Sequence, residues 1–394
     1  LFGWLDTDDE ARKQEYPSEL LARFPYMNGG LFRERIQIPQ LNEQVHYEIL
    51  VSGCQEFDWS GVDPTVFGSI FEGALSHDTR RSGGMHYTSP ENIHKVIDPL
   101  FLDGLKEELD EILAKQNPSA RTRALRAYHD KLGRLTFLDP ACGSGNFLTE
   151  AYVCLRRLEN TVLMELQRGG QSEISFEEAE EESPVKVTLA NFHGIEVNDF
   201  ACCVARTALW IAEKQADINT AKVVKRVYDE LPLREYGTII HGNSLRIDWA
   251  DAVPALGLDF IIGNPPFIGY SNLNDAQKAD RAEIFGKPGG VLDYVACWYR
   301  KAADFTRGSH TRCAFVSTNS ICQGQQVEPL WKPLFDDGVE IDFAHKTFVW
   351  NSEATDEAHV HVVIVGFSRE KIAKKTIFDG DGAREADNIS GYLS

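Results

Sequence analysis

The chain has 394 residues, 43% of them hydrophobic, which is enough to bury a large core. Its 40 Lys and Arg against 60 Asp and Glu leave a net charge of −20. That sign is wrong for a protein that wraps a polyanion over its whole surface, so any nucleic-acid contact is local or lies in a part of the protein outside this chain. No run approaches the roughly 18 uncharged apolar residues of a membrane span, and the N-terminus lacks a basic-then-apolar secretion signal, so a cytoplasmic protein with no membrane partner is expected.

The sequence opens on Leu1, in what reads as the middle of a helix, so a piece of a longer protein is expected. Residues 1–85 carry aromatic and Gly-rich punctuation, as in Phe24-Pro25-Tyr26-Met27-Asn28-Gly29-Gly30 and Val66-Phe67-Gly68-Ser69-Ile70-Phe71-Glu72-Gly73, without strand–helix alternation. They are expected to form a helical accessory region. From 86 to 368 short apolar strands alternate with helices, the sequence form of an α/β, doubly wound sheet. Seven strands are predicted: Thr136 to Asp139, Phe192 to Glu196, Thr238 to His241, Asp259 to Ile262, Arg312 to Ser317, Ile341 to Phe343 and His361 to Phe367. Helical spacing of apolar residues runs over Asn146–Gln167, Phe200–Lys214 and Leu292–Phe305. The run of glutamates from Glu173 to Glu182 reads as a solvated insertion, and the polar segment 369–394 as a tail or a linker to a further domain. The cysteines show no Cys-x-x-Cys pair and sit in apolar runs such as Arg312-Cys313-Ala314-Phe315-Val316, so reduced core thiols and no metal site are expected.

Leu135-Thr136-Phe137-Leu138-Asp139-Pro140-Ala141-Cys142-Gly143-Ser144-Gly145-Asn146-Phe147-Leu148 reads as a strand, a tight turn and a helix start. Gly143 and Gly145 let backbone approach a ligand closely at the end of the first strand, as Asp139, Pro140 and Ala141 lead into the turn. The third glycine of the dinucleotide pattern is replaced by Leu148, which disfavours a pyrophosphate cradle and a nicotinamide dehydrogenase. A nucleoside cofactor also needs an acid at the end of the second strand to accept hydrogen bonds from its ribose hydroxyls, and Glu196 stands there. His193 in the same strand reads as a strand residue.

Leu258-Asp259-Phe260-Ile261-Ile262-Gly263-Asn264-Pro265-Pro266-Phe267 is a buried strand ending in Asn-Pro-Pro-Phe, where paired prolines deny backbone donors and fix the turn. The alternative is a rigid turn with a packing Phe. The residue types suit transfer of a methyl group to a planar amine whose lone pair is delocalised. The side-chain oxygen of Asn264 and the carbonyl of Pro265 can accept both N–H groups and stabilise the positive charge that develops as nitrogen attacks a sulfonium methyl. Pro266 stiffens the turn, and Phe267 can stack on a base flipped out of a duplex, worth about 1 to 3 kcal/mol.

Together these residues resemble the amino-methylating DNA methyltransferases, with the motif order of their gamma group. The resemblance implies a Rossmann-like fold, S-adenosylmethionine as cofactor and the N6 amine of a flipped-out adenine in double-stranded DNA as target. His86-Tyr87-Thr88-Ser89-Pro90 is similar to the family's Tyr-Thr-Pro element, with its proline one residue later. That likeness implies a contact of Tyr87 and Thr88 with the methionine carboxylate. His241-Gly242-Asn243-Ser244-Leu245-Arg246-Ile247-Asp248-Trp249 resembles the element after the third strand, which implies that Asn243 meets the cofactor's adenine edge; the family often has Asp there.

More narrowly, Tyr26-Met27-Asn28-Gly29-Gly30-Leu31-Phe32, Val96-Ile97-Asp98-Pro99-Leu100-Phe101 and Phe315-Val316-Ser317-Thr318-Asn319-Ser320 resemble the methyltransferase module of MmeI-type (type IIL) restriction-modification enzymes. That likeness implies nuclease and target-recognition regions in the same polypeptide, before residue 1 and after 394. Asn-Pro-Pro-Phe also serves in enzymes that methylate RNA bases or glutamine amides, and a non-catalytic DNA-modification scaffold is a further alternative that predicts damaged motifs. Glu340-Ile341-Asp342 with Lys346 lacks nuclease spacing and reads as a strand edge. His359 and His361 read as packed or surface residues rather than metal ligands.

Overall fold

Five short runs with few polar residues form the centre of one sheet: β1 (Phe137–Asp139), β2 (Phe192–Glu196), β3 (Ile239–His241), β4 (Phe260–Gly263) and β5 (Arg312–Thr318). All pair in parallel, in the order β3-β2-β1-β4-β5. Near-continuous apolar composition is what a strand covered on both faces needs. This computed structural model describes residues 40–57, 62, 88–168, 184–224, 239–253, 257–286, 290–350, 360–380 and 382–394. Beyond β5, β6 (Glu340–Trp350) and β7 (Val360–Ser368) complete the predicted set, with β7 inserted antiparallel between β5 and β6.

The sheet does not stop at seven strands. β8 (Lys375–Asp379) joins β6 in parallel and β9 (Gly382–Ala386) closes the edge, so the segment expected as a tail or linker is partly built into the sheet. Its polarity misled because β9 is a largely exposed edge strand and because the buried Lys375 is neutralised by Glu340 at 2.6 Å, while Ile377, Ile389 and Leu393 supply the few buried apolar anchors.

Of the expected accessory region, the described part holds α1 (Glu43–Tyr47), capped by Asn42, and π-helical turns over Glu48–Glu56. The remaining expectations for 1–85, apart from Val62, lie outside the described residues, as do the glutamates 173–182. The sheet is preceded by α2 (Pro90–Ile97), which passes through π-helical turns at Asp98–Leu102 into α3 (Asp103–Leu113), and by α4 (Pro118–Leu132). Pro99 cannot donate, and the ladder widens around it. α5 (Asn146–Arg168), α6 (Asp199–Val224), α7 (Asp275–Phe285), α8 (Ala296–Phe305) and α9 (Val327–Asp336) follow.

Alternation along each strand sorts side chains into two cores. Phe137, Phe192, Ile262 and Val316 face the core shared with α2 to α6, where the Phe137 ring stacks on Phe192 at 4.9 Å and meets Phe101 edge-on at 5.2 Å. Leu138, Ile195, Ile261 and Phe315 face the core shared with α8 and α9, around Tyr299 and Trp331. The crossover helices α5 and α6 therefore cover one face and α8 and α9 the other, so the winding reverses between β1 and β4. In open α/β sheets the ligand crevice lies outside the carboxyl ends of the strands at such a reversal.

Candidate cofactor and target-amine site

Asp139 is the last residue of β1, and its Oδ1 accepts a hydrogen bond from the Ala141 N–H at 3.0 Å, which starts the turn. The turn then needs two left-handed residues, Gly143 at φ +53° and Gly145 at φ +81°. Nothing stands within 4 Å of where a Gly143 Cβ would be, so that side of the loop is open, whereas Gly145 packs directly on Ala205. Glu196 ends β2 and is largely buried, at 7% exposure. Its Oε2 accepts from Gly143 N at 2.9 Å and its Oε1 from Asn198 N at 2.8 Å, so the acid of the second strand holds the loop of the first. Burial pushes its carboxyl up, against the pull of these backbone donors.

A cavity of about 440 Å³ lies at this edge of the sheet. Pro140, Ala141, Gly143, Glu196, Asn243 and Asn264 line it, together with Thr88 and Pro266. Asp139 and Gly145 shape the loop from beneath, and Pro265 is buried. Phe267 packs half-buried against the core of α2 to α6 rather than into the cavity lining. Tyr87 lies outside the described residues.

Asn264 sits immediately after β4. Its Nδ2 donates to Thr88 Oγ1 at 3.2 Å. Its Oδ1 is buried and has no hydrogen-bond partner among the described residues. An unsatisfied buried acceptor costs about 1 to 3 kcal/mol, and this one belongs to a side chain that lines the cavity.

Residues 113–379 match the family described as MmeI, DNA-methyltransferase domain. The chain belongs to this family. It is 38% identical over 397 residues to DNA methyltransferase A of Bacillus subtilis (strain 168), an alignment covering 98% of this chain and 43% of that protein. The solved structure of the type IIL restriction-modification enzyme MmeI in complex with DNA superimposes with a TM-score of 0.87 at 40% identity, covering 100% of this chain and 52% of that one. The chain thus spans about half the length of the relatives it matches.

In this methyltransferase domain several pocket residues were not anticipated from the sequence. Asp280 of α7 is 3% exposed and accepts hydrogen bonds from Asn243 Nδ2 at 3.0 Å, Arg246 Nε at 2.6 Å and Tyr294 Oη at 2.7 Å. Burial opposes its charge, but the three donors prevail and hold the carboxyl below the usual range. Asn243, whose Oδ1 also accepts from Leu245 N at 2.9 Å, is therefore rigidly placed at the cavity wall. Trp298 Nε1 donates to Pro140 O at 3.1 Å and ties α8 to the glycine loop. Asp293 accepts from Tyr270 N at 2.8 Å and from Ser320 Oγ, and so anchors the segment that follows Asn-Pro-Pro-Phe. This use of the chain before Ala296 explains why the helix predicted from Leu292 starts four residues later. The partners of Asp280 lie 14 to 37 residues away in the chain, and Asp280 is one charged residue among many in a polar stretch.

Gly263 was also missed. It closes β4 beside β1, where a Cβ would stand 2.5 Å from Asp139 Oδ1. Burial pushes the Asp139 carboxyl up to about 8, with the Ala141 N–H opposing the shift and Glu196 adding to it. An unfolded aspartate titrates near about 3.9, so from about pH 4 to 8 the folded state keeps a proton that the unfolded state loses, and stability falls as pH rises. Asp342, raised to about 6 by burial, acts in the same direction below that pH. His345, lowered to about 4 by burial, acts oppositely up to about 6.5, its ordinary value. Above that, Asp139 dominates. Urea unfolding is expected to show lower stability at pH 8 than at 6.5, by on the order of 1 kcal/mol, and Asp139→Asn is expected to flatten the profile. A slope that persists unchanged in the variant would place its origin elsewhere.

Away from the site, Lys346 pairs with Asp379 at 2.9 Å, and Asp342 with Arg312 at 3.4 Å, on β6, which is flanked by β7 and β8 rather than lying at the sheet edge. His193 lies on β2, with its pKa lowered by burial, and His361 is exposed on β7; His359 lies outside the described residues. Cys142, Cys154, Cys202, Cys297, Cys313 and Cys322 form no disulfide. His94, Glu150 and Cys154 converge between α2 and α5, where their spacings, 3.3 Å from His94 Nε2 to Glu150 Oε1 and 3.5 Å from Cys154 Sγ to the same oxygen, are accounted for as hydrogen bonds.

Proposed function

We propose that this chain transfers a methyl group from S-adenosylmethionine to the N6 amine of an adenine flipped out of double-stranded DNA, as the modification part of a restriction-modification system. The observation that carries this reading is the buried, unpartnered Oδ1 of Asn264 at the cavity where β1, β2 and β4 end. Family membership and the likeness to MmeI, solved in complex with DNA, support DNA as the substrate. Nuclease and target-recognition regions are proposed to belong to the same full-length polypeptide, consistent with the half-length match, and base-edge readout is assigned to them. The methyl-transfer unit is proposed to span 86–368.

The residues present fit the cofactor. Glu196 offers a carboxylate for ribose hydroxyls, Gly143 leaves its side of the loop open, and Asn243 is held at the wall. The bound cofactor supplies a sulfonium-activated methyl group. Asn264 Oδ1 and the Pro265 carbonyl accept the two N–H groups of the amine and favour a pyramidal nitrogen, whose lone pair then points at the methyl carbon. As that nitrogen gains a bond, its developing positive charge is stabilised by oxygens already oriented, with no reorganisation at the moment of reaction. The N–C bond would form as the sulfonium C–S bond breaks to leave a neutral thioether, and the proton that the methylated nitrogen then sheds would pass to water, so a carboxylate base is unnecessary. Pro265 and Pro266 fix the turn that aims both acceptors.

Calorimetric titration of the purified chain with S-adenosylmethionine tests the cofactor part. Glu196→Ala is expected to weaken binding at least tenfold, because the variant loses the ribose acceptor and frees Gly143 N and Asn198 N together. Preference for a nicotinamide dinucleotide, or no binding by a folded chain, would overturn the reading. Methylation of adenine-containing duplexes by the full-length protein tests the target.

A further inference from the structure

Thr88 makes two contacts that lie on opposite sides of it. Its Oγ1 accepts from Asn264 Nδ2 at 3.2 Å, and its carbonyl accepts from Asn146 Nδ2 at 3.4 Å. Asn146 is the first residue of α5, directly after the glycine loop. Thr88 is 4% exposed, and its partners stand 58 and 176 residues away in the chain. An amide has a donor end and an acceptor end of nearly the same shape, and only its hydrogen bonds decide which end faces where. Here, among the described residues, the Thr88 hydroxyl is what accepts from the NH₂ end of Asn264. Its oxygen is thereby left without a partner at the cavity.

We infer that Thr88 is a positioning residue for methyl transfer: its hydroxyl fixes the Asn264 amide with the oxygen toward the target amine. Its backbone ties that orientation to the start of α5, so the glycine loop and the target motif are held as one unit. This rests on the function proposed above and differs from a role of Thr88 in binding the cofactor. The two separate in kinetics, because an orienting contact acts on the chemical step while a cofactor contact acts on affinity.

The hydroxyl also has one proton to place. With Oγ1 accepting from Asn264, that proton points away from the amide, and a flipped Asn264 amide would set two acceptors, Asn264 Oδ1 and Thr88 Oγ1, against each other unless the proton turned onto Oδ1. The native arrangement needs no such turn. A valine at 88 keeps the shape and removes the acceptor, so neither amide orientation is preferred.

The test uses the full-length protein, with single-turnover methylation of a duplex and calorimetric titration with S-adenosylmethionine measured for each variant. Thr88→Val is expected to lower the single-turnover rate 10- to 100-fold, the range for a partner that orients a ligand-contacting residue, with cofactor affinity within threefold of the native value. Thr88→Ser is expected to restore the rate to within about threefold. In Asn264→Ala, adding Thr88→Val is expected to cost nothing further, since there is no amide left to orient. Thr88→Val with a native rate, a loss confined to cofactor affinity, or full additivity with Asn264→Ala each overturns the inference. If native protein neither binds the cofactor nor methylates DNA, the proposed function fails first, and the thermal midpoints of the variants separate that result from misfolding.

Discussion

Asn264→Ala is expected to lower the rate of methyl transfer by roughly 10²- to 10³-fold, the loss seen when one preorganised group that stabilises transition-state charge is removed. Binding of S-adenosylmethionine is expected to change little. The side chain is held by its NH₂ end on Thr88, and its Oδ1 stands buried without a partner, so the ground state of the free protein gains nothing from that oxygen. Only an entering N–H uses it. The interaction then strengthens as the amine becomes cationic, which is the condition for a contact to raise rate rather than affinity. Truncation to Ala also removes the burden of the unpaired acceptor, so the variant is expected to be at least as stable as the native protein. Single-turnover assays on a duplex, read beside urea unfolding, check both halves. A rate within threefold of native would show that the acceptor is idle and would return Asn-Pro-Pro-Phe to a packing turn.

The parts of the fold that were legible in the sequence are those whose period was undisturbed. β2 is found over the predicted Phe192–Glu196, and α5 starts at the predicted Asn146, because each is apolar at one clean spacing. β6 was expected only over Ile341–Phe343 yet runs to Trp350. Two register shifts, at Ile341/Phe343 and His345/Phe348, break the alternation that marks a strand. α6 outlasts its predicted end at Lys214 by ten residues, on small buried residues, Ala216 and Thr220, that carry little hydrophobic signal. In the site, residues on the strand ends were legible because a glycine turn and an Asn-Pro-Pro turn are local. The Asp280 cluster, the Trp298 bond to Pro140 and the bridge from Thr88 to Asn264 are products of tertiary packing across 14 to 176 residues, and no local pattern announces them.

Gly263→Ala is expected to destabilise the protein by about 1 to 3 kcal/mol and to weaken cofactor binding, although the change adds one methyl group in a strand rich in larger side chains. Gly263 is not among the residues with positive φ, so backbone strain is not the cause. Space is. The added Cβ would lie 2.5 Å from Asp139 Oδ1 and 3.2 Å from its Cγ. Asp139 is 1% exposed, and the threatened oxygen is the one that holds Ala141 N. To make room, either the carboxyl turns away and releases the first bond of the glycine loop, or β4 moves against β5, to which Gly263 is paired at Phe315. Both routes disturb the cavity. Asp139→Ala alone is also expected to destabilise, by loss of the Ala141 bond. If the clash is the mechanism, the double variant is less destabilised than the sum of the singles, with a coupling of about 1 kcal/mol or more, because the shortened side chain has vacated the space the new methyl needs. Urea unfolding of the four proteins measures that coupling. Additive losses would mean that Gly263 serves something other than the close approach of β4 to the Asp139 carboxylate.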